Sequence, residues 1–397
     1  MLAPFGIRPK GTLAVRMLPL AQALVQRGHR VRITAPPVHN PQDAGQRIVS
    51  GGVTVLHTRL PRLPGPVGVI EQVGLLLHHA LDSAPDILHL FKPRGYSGLA
   101  ALAARAVRPG LPLVVDTDDW EGWGGWNDLL PYPYPARMVF AWQERDLPRR
   151  AASVTVASRT LETQVWGFGV RPERVIYLPN GVSRETASGF SPISPPRSSP
   201  PAPTLLLYTR FWEFEVRDIV TALVTIRQAH PEVRLLVVGR GERGEEQDLL
   251  RLARRAGVAA ALDYRGWVEP AHIPPLLAAA DVALVPVDDT LINRARCSVK
   301  LLELMAAGLP IVAGRVGQAT EYLDDERSGL LVSPGHPAAL ARATLRLLDD
   351  ASLRERLGKA AQERAKRDFC WDHLVHQAER AYAIAVEQCA EQKGFRC

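Results

Sequence analysis

The sequence predicts an α/β protein of two similar halves, each a parallel sheet covered by helices. Three observations predict it. Short apolar runs of strand length alternate with longer amphipathic runs along nearly the whole chain. A Ser/Pro-rich stretch at 188–203 interrupts that rhythm, which then restarts. The length, 397 residues, suits two domains with a core each.

In the first half, Met1-Leu2-Ala3-Pro4-Phe5 reads as the tail of a first strand, entering the loop Gly6 to Thr12. The strand is either short here or begins upstream. Leu13 to Arg27 reads as a helix stopped by Gly28-His29. Strands follow at Arg30 to Ala35 and Val53 to Thr58, a helix at Ile70 to Leu81, and a strand at Asp86 to Leu90. Leu99 to Val107 is helical, Leu113 to Asp116 a buried strand, Arg137 to Arg150 a helix, and Ser153 to Ala157 a strand. In the second half the strands are Leu205 to Thr209, Arg234 to Gly239, Leu262 to Arg265 and Val282 to Pro286. Helices lie at Asp218 to His230, Glu245 to Ala256 and Ile273 to Ala279. Three more end the chain: Ala338 to Asp349, Ser352 to Arg367 and Phe369 to Glu391. Ligands of such sheets bind at the carboxyl ends of the strands.

Composition narrows the function. Hydrophobic residues make up 46% and charged residues 22% of the chain, as in folded water-soluble proteins. The formal charge of +7 is scattered, and arginine greatly outnumbers lysine. No basic block points to nucleic acid. Of the four cysteines, Cys297, Cys370, Cys389 and Cys397, none forms a CxxC pair, so neither zinc nor a disulfide framework is indicated, and a reducing cytosol is the expectation. No apolar run reaches membrane-spanning length, and the start lacks a signal-peptide pattern.

The most informative stretch is 288–314. A polar loop ends at Cys297-Ser298, an amphipathic run continues to Ala307, Gly308-Leu309-Pro310 stops it, and the apolar Ile311-Val312-Ala313 follows. Ser298 suits the helix N-cap. Lys300 and Glu303 share one helix face, while Leu301, Leu304 and Met305 occupy the other. A helix N-terminus beside a lysine favours phosphate, and a glutamate one turn on can accept both hydroxyl hydrogens of a ribose diol. The plainer alternative is a solvated ion pair of little consequence.

The pattern Ser298-x-Lys300-Leu301-x-Glu303-x-Met305-Ala306-Ala307-Gly308-x-Pro310-Ile311-Val312 resembles the donor-site signature of GT-B glycosyltransferases of the family 4-like, retaining type (glycosyl transferases group 1). The resemblance is strongest from Thr204 to Val332. It implies two Rossmann-like domains facing each other across a cleft: 1–187 for the acceptor, the linker 188–203, and 204–371 for the donor, with a helix of about 372–397 packing back on the first domain. It implies transfer of a sugar from a UDP- or GDP-linked donor to a glycan or lipid-linked hydroxyl acceptor, with retention and with no metal or other cofactor. It places the protein in the cytoplasm, with peripheral contact at the inner membrane face.

The resemblance also assigns residues. Ser298, Val299 and Lys300 meet the diphosphate, and Glu303 the ribose. Arg210, after a strand end, grips the diphosphate; a surface role is the alternative. The family has a lysine five residues on, but position 215 is Glu, leaving Lys300 or Arg217 to carry the second charge. Gly239 precedes the loop Arg240-Gly241-Glu242, and Gly266-Trp267-Val268 reads the base. The family's first donor glutamate falls on Ala295, so Asn293, Asp288 or Asp289 would have to serve the sugar. Gly11 lies in the loop Arg8 to Thr12, which in the resembled fold faces the diphosphate.

Asp116-Thr117-Asp118-Asp119-Trp120-Glu121, followed by a glycine- and tryptophan-rich loop, reads as an acceptor platform. Trp120 and Trp123 would stack on sugar, while Asp119 accepts from its hydroxyls and Asp118, as a catalytic candidate, orients the attacking one. A Mg or Mn site and a purely structural loop are the alternatives. His89 and Lys92 flank a neighbouring strand end, as catalytic and acceptor-binding candidates respectively, with packing the alternative for His89. A nucleotide-sugar epimerase and a non-catalytic nucleotide-sugar-binding module remain rivals.

Overall fold

The computed structural model describes residues 1–8, 11–183 and 202–394. Most of the 188–203 stretch therefore lies outside the described residues, as do Pro9 and Lys10. Two compact units emerge. One comprises Met1–Asn180, Ala295–Cys297 and Trp371–Cys397, and the other Gly181–Arg294 and Ser298–Cys370.

In the first unit, strands β1 (Arg32–Ala35), β2 (Arg47–Ser50) and β3 (Val53–His57) form a sheet in the order β1-β3-β2. Strands β4 (Leu88–Phe91), β5 (Leu113–Thr117), β6 (Ser153–Val156) and β7 (Val175–Tyr177) form another in sequence order, all parallel. Leu2 joins them by parallel bridges to Thr34 and Leu90. Its amide donates to His89 O at 2.8 Å, and Phe91 N donates to its carbonyl at 3.0 Å. Met1-Leu2-Ala3 thus lies between β1 and β4.

In the second unit, β8 (Thr204–Tyr208), β9 (Arg234–Val238), β10 (Leu262–Gly266), β11 (Val282–Val285), β12 (Ile311–Gly314) and β13 (Leu330–Val332) form one parallel sheet in the order β10-β9-β8-β11-β12-β13. Its central strands are continuous Leu/Val runs because both faces are covered: Leu205, Leu207, Leu235 and Val237 share a core with Ile219, Leu223 and Ile226 of the helix Val216–Ala229.

Several elements are absent from the sequence reading. β2, Arg47-Ile48-Val49-Ser50, is antiparallel to β3, and its two apolar residues are adjacent, so it shows no alternation. β7 and β13 have three residues each, too few for periodicity. The helix Arg159–Gly167 is capped by Ser158, whose hydroxyl accepts from Leu161 N at 3.2 Å. The loop before Cys297 contains a short helix, Leu291–Ala295.

The last helix, Trp371–Gly394, belongs to the first unit. Trp371, Leu374, Val375 and Ala378 complete an apolar cluster with Leu13, Met17, Leu20 and Leu24. Ala381 and Ala385 pack on Val114 and Ile176. No helix among the described residues is long and apolar enough to cross a membrane.

Candidate functional site

In the second unit, the carboxyl ends of adjacent strands carry most of the predicted donor residues. The helix Val299–Ala306 begins at Ser298, whose side chain caps it by accepting from Leu301 N at 3.4 Å. Leu301, Leu302, Leu304 and Met305 are buried, which turns Lys300 and Glu303 to the opposite side. Both meet Tyr208, the last residue of β8. The Lys300 ammonium sits 4.6 Å from the centre of its ring, a cation–π distance. The Tyr208 hydroxyl hydrogen-bonds Glu303; burial first, then the Glu303 charge and this bond, raise the phenol's pKa well above its usual range. Tyr208 thus stays a neutral donor. One side chain thus touches both helix residues.

Next to it, Arg210 is half-exposed and paired with Glu242 of the loop after β9. Its backbone N–H donates to Glu213 Oε2 at 3.2 Å. Gly239 has φ +132°, and a Cβ there would lie 1.8 Å from Thr209 O; only glycine allows the ends of β8 and β9 to approach this closely. Gly239 N donates to Gly266 O at 2.7 Å, tying in the end of β10. Trp267 is 63% exposed, and Val268 is half-buried beside it.

The possible replacements for the missing donor glutamate separate clearly. Asn293 is buried, and its amide donates to Glu213 O at 2.8 Å and Asp288 O at 2.9 Å, so it braces the loop. Asp289 is paired with Arg294. Asp288 has its pKa raised by burial and by neighbouring carboxylates. Glu215 and Arg217 are exposed. Ala295 has no exposed surface and packs in an apolar cluster of the first unit.

The acidic strand end of the first unit is internally neutralised. Lys92, nearly buried and at φ +53°, places its ammonium on Asp119, 2.8 Å from Glu121 Oε1 and 3.5 Å from Asp118 Oδ1. Arg94 also binds Glu121. The three carboxylates therefore surround a lysine. Asp118 Oδ2 accepts from the hydroxyl of Thr12, the neighbour of Gly11, at 2.8 Å, which brings the N-terminal loop onto this cluster. Burial pushes the Asp118 carboxyl up to about 7, against the pull of Lys92. Trp120 Nε1 donates to Trp123 O at 2.8 Å. Trp123 is partly exposed, with the Arg137 guanidinium 4.9 Å from its ring centre.

His89, the catalytic candidate beside this strand end, lies inside the fold. It is buried, its Nδ1 lies 2.9 Å from the Tyr382 hydroxyl of the last helix, and its ring centre is 4.2 Å from that of Phe91. Burial lowers its pKa to about 3, so it stays neutral and packs.

Sequence reasoning passed over several interactions here. Arg16 forks onto Asp116 at 2.8 and 2.6 Å, and also donates to Asn180 Oδ1 at 3.0 Å and Leu178 O at 2.8 Å. Asn180 N and Nδ2 in turn donate to Cys297 Sγ and O, each at 3.0 Å. Glu144 Oε1 accepts from Glu121 N at 2.6 Å. Arg94 stacks over Tyr132 and Phe140. Arg16 and Glu144 lie on helices whose polar positions look like solvent-facing ones, so no local signal marks them.

Residues 11–181 match the model of the glycosyl transferase 4-like domain, and 202–350 that of glycosyl transferases group 1. Together these cover most of the chain. The chain belongs to these glycosyltransferases. It is 28% identical over 390 residues to a phosphatidyl-myo-inositol mannosyltransferase of Mycobacterium leprae, covering 96% of this chain and 95% of that protein. It is also 28% identical over 243 residues to a glycogen synthase of Mycobacterium tuberculosis, a match spanning 60% of this chain and only 56% of the synthase. The structure superposes on sucrose-phosphate synthase of Thermosynechococcus elongatus with a TM-score of 0.72 at 21% identity, covering 94% and 93% of the two chains. For Anabaena HepE in complex with UDP the TM-score is 0.68 at 18% identity, covering 96% and 98%. The fold of this glycosyltransferase is GT-B.

Proposed function

We propose that this glycosyltransferase moves a sugar from a nucleoside-diphosphate sugar to a hydroxyl acceptor with retention at the anomeric carbon, and that it needs no metal. The observation that carries this reading is Lys300 and Glu303 on one capped helix, both held by Tyr208. That face offers a cation and helix amides to a diphosphate and a carboxylate to a ribose one turn on. The family membership and the UDP bound by the Anabaena neighbour support a nucleotide donor. UDP and GDP are both compatible with the Gly266-Trp267-Val268 edge. The acceptor is a glycan or lipid-linked sugar, consistent with the mannosyltransferase relative.

In the step we propose, the C1–O bond to the diphosphate breaks as the acceptor oxygen bonds to C1 on the same face. The acceptor proton passes to the departing phosphate oxygen. Lys300, Arg210 and the helix amides stabilise the charge that grows there. Arg210 would exchange its half-exposed contact with Glu242 for the diphosphate. Asp118, with its carboxyl near neutrality, orients the acceptor hydroxyl, and Trp120 and Trp123 supply its aromatic platform. The reaction would run in the cytoplasm, at the inner membrane face for a lipid-linked acceptor.

A second reading, a nucleotide-sugar-binding module without turnover, draws on the exposed Glu215 and the core-buried Ala295. Two measurements decide. A melting-temperature screen of UDP, GDP and their sugars identifies the nucleotide by mass action. Incubation of the stabilising nucleotide sugar with candidate acceptors, with NMR of the product, then reads transfer and anomeric configuration. Full activity in Lys300→Ala would sink the donor-site assignment. Binding with neither transfer nor hydrolysis would establish the second reading, and interconversion of the sugar without acceptor would establish an epimerase.

A further inference from the structure

The first unit holds a cavity of about 460 Å³ lined by Arg105, Arg149, Arg150 and Arg174, together with Gln388 and Cys389 of the last helix. It lies where β6 and β7 begin, since Arg150 precedes Ser153 and Arg174 precedes Val175. This is the sheet edge opposite the one carrying Asp118.

Several arginines of this chain are paired with carboxylates: Arg16 with Asp116, Arg32 with Asp82, Arg94 with Glu121. The arginines of the basin are held mainly by backbone carbonyls. Arg105 donates to Arg150 O, and Arg174 Nε donates to Ala152 O at 3.1 Å. Arg149 is 3.7 Å from Asp146. Among the described residues, Arg105, Arg150 and Arg174 have no carboxylate within ion-pair distance. Burial, then Arg171 and Arg105, lower the pKa of Arg174, with Glu173 opposing.

Arginines at helix C-termini ordinarily cap carbonyls, and two of these do. Each such bond uses one of five N–H donors, so the remaining forks are available to a ligand. Planar guanidinium forks match phosphate oxygens, and the volume falls in the range of small-ligand sites.

We propose that this arginine basin is a second anion site, binding a phosphate-bearing ligand on the edge of the N-terminal unit remote from the acceptor residues. It is independent of the donor-site reading. The probe is inorganic phosphate, measured against chloride at matched ionic strength. Phosphate is expected to raise the melting temperature by about 2–4 °C more than chloride does. The double variant Arg149→Gln/Arg150→Gln, both exposed and so compatible with folding, should lose most of that rise while keeping any stabilisation by UDP. A phosphate effect no greater than that of chloride, or one unchanged in the variant, overturns the proposal. Sedimentation with phosphatidylcholine vesicles, with and without phosphatidylglycerol, identifies the source. Arginine-dependent binding to the anionic vesicles alone assigns a lipid headgroup. A phosphate effect without vesicle binding assigns a soluble ligand. Loss of the UDP response in the parent would count against the donor site and leave the basin standing.

Discussion

The carboxyl edges of the two sheets handle charge in opposite ways. In the first unit, Lys92 is enclosed by Asp118, Asp119 and Glu121, with Arg94 completing the cluster. In the second, Lys300 rests on an aromatic face and Arg210 holds a half-exposed carboxylate. A buried, mutually satisfied network is rigid and costly to break. An exposed pair is worth little, and in the reaction we propose it yields to a diphosphate. One edge therefore holds its charges in a buried network, and the other leaves Arg210 in a half-exposed pair.

The comparison breaks most visibly at Lys92. Lys92→Met leaves buried carboxylates uncompensated, and we expect a loss of about 3–5 kcal/mol in unfolding free energy, read by urea denaturation. A loss below 1 kcal/mol would mean the first edge is as loosely held as the second. Lys300→Ala should behave the other way, with stability close to the parent and turnover lower by about 10²–10³-fold, measured as nucleoside diphosphate released. If its main effect is on folding, the contrast fails.

Glu144 sharpens the first edge through pH. Burial holds its carboxyl up at about 7, above the ordinary 4.5, so the folded state binds the proton more tightly than the unfolded chain. Stability from this group is present below about pH 4.5 and is lost as pH rises toward 7. Glu144→Gln should therefore be more stable than the parent at pH 8, by about 1–3 kcal/mol. The difference should vanish near pH 4, and melting curves at the two pH values decide. The smallest effect is expected at Tyr208→Phe, which keeps the ring under Lys300 and removes the hydroxyl from Glu303. Nucleotide affinity should fall by about three- to tenfold, with little of this loss for a 2′,3′-dideoxynucleotide. Equal losses for both nucleotides would remove Glu303 from the ribose.

The second edge was the more legible in sequence. Lys300 and Glu303 lie three apart on a helix marked by Ser298 and Gly308, so local spacing is enough to place them on one face. The buried runs of β5, β8, β9 and β12 were equally plain. What escaped depends on distance in sequence. Nothing local joins Tyr208 to Glu303, or Arg16 to Asp116 and Asn180, and these pairings arise only when parallel strands set their ends side by side. The environment of Lys92 escaped for the same reason: its counter-ions Asp118, Asp119 and Glu121 come from the loop after the next strand, β5. The surroundings of His89 escaped because β4 runs on to Phe91, which places His89 within the strand, and its partner Tyr382 lies far along the sequence. The three-residue strands and the four-residue edge strand β2 lacked the length or alternation that periodicity requires.

The last helix gives the chain an order of assembly. Trp371, Leu374, Val375 and Ala378 fill the core begun by Leu13, Met17 and Leu20, so the core of the N-terminal unit is complete only after those residues have left the ribosome. The second unit, Gly181–Arg294 and Ser298–Cys370, is synthesised entirely in that interval, together with residues 295–297 of the first. At about 5–20 residues per second, the unfinished first unit waits roughly ten seconds or more for its final helix, with its apolar surface open to chaperones. A protein stalled before Trp371 would carry the donor residues on a finished sheet and lack a closed acceptor unit.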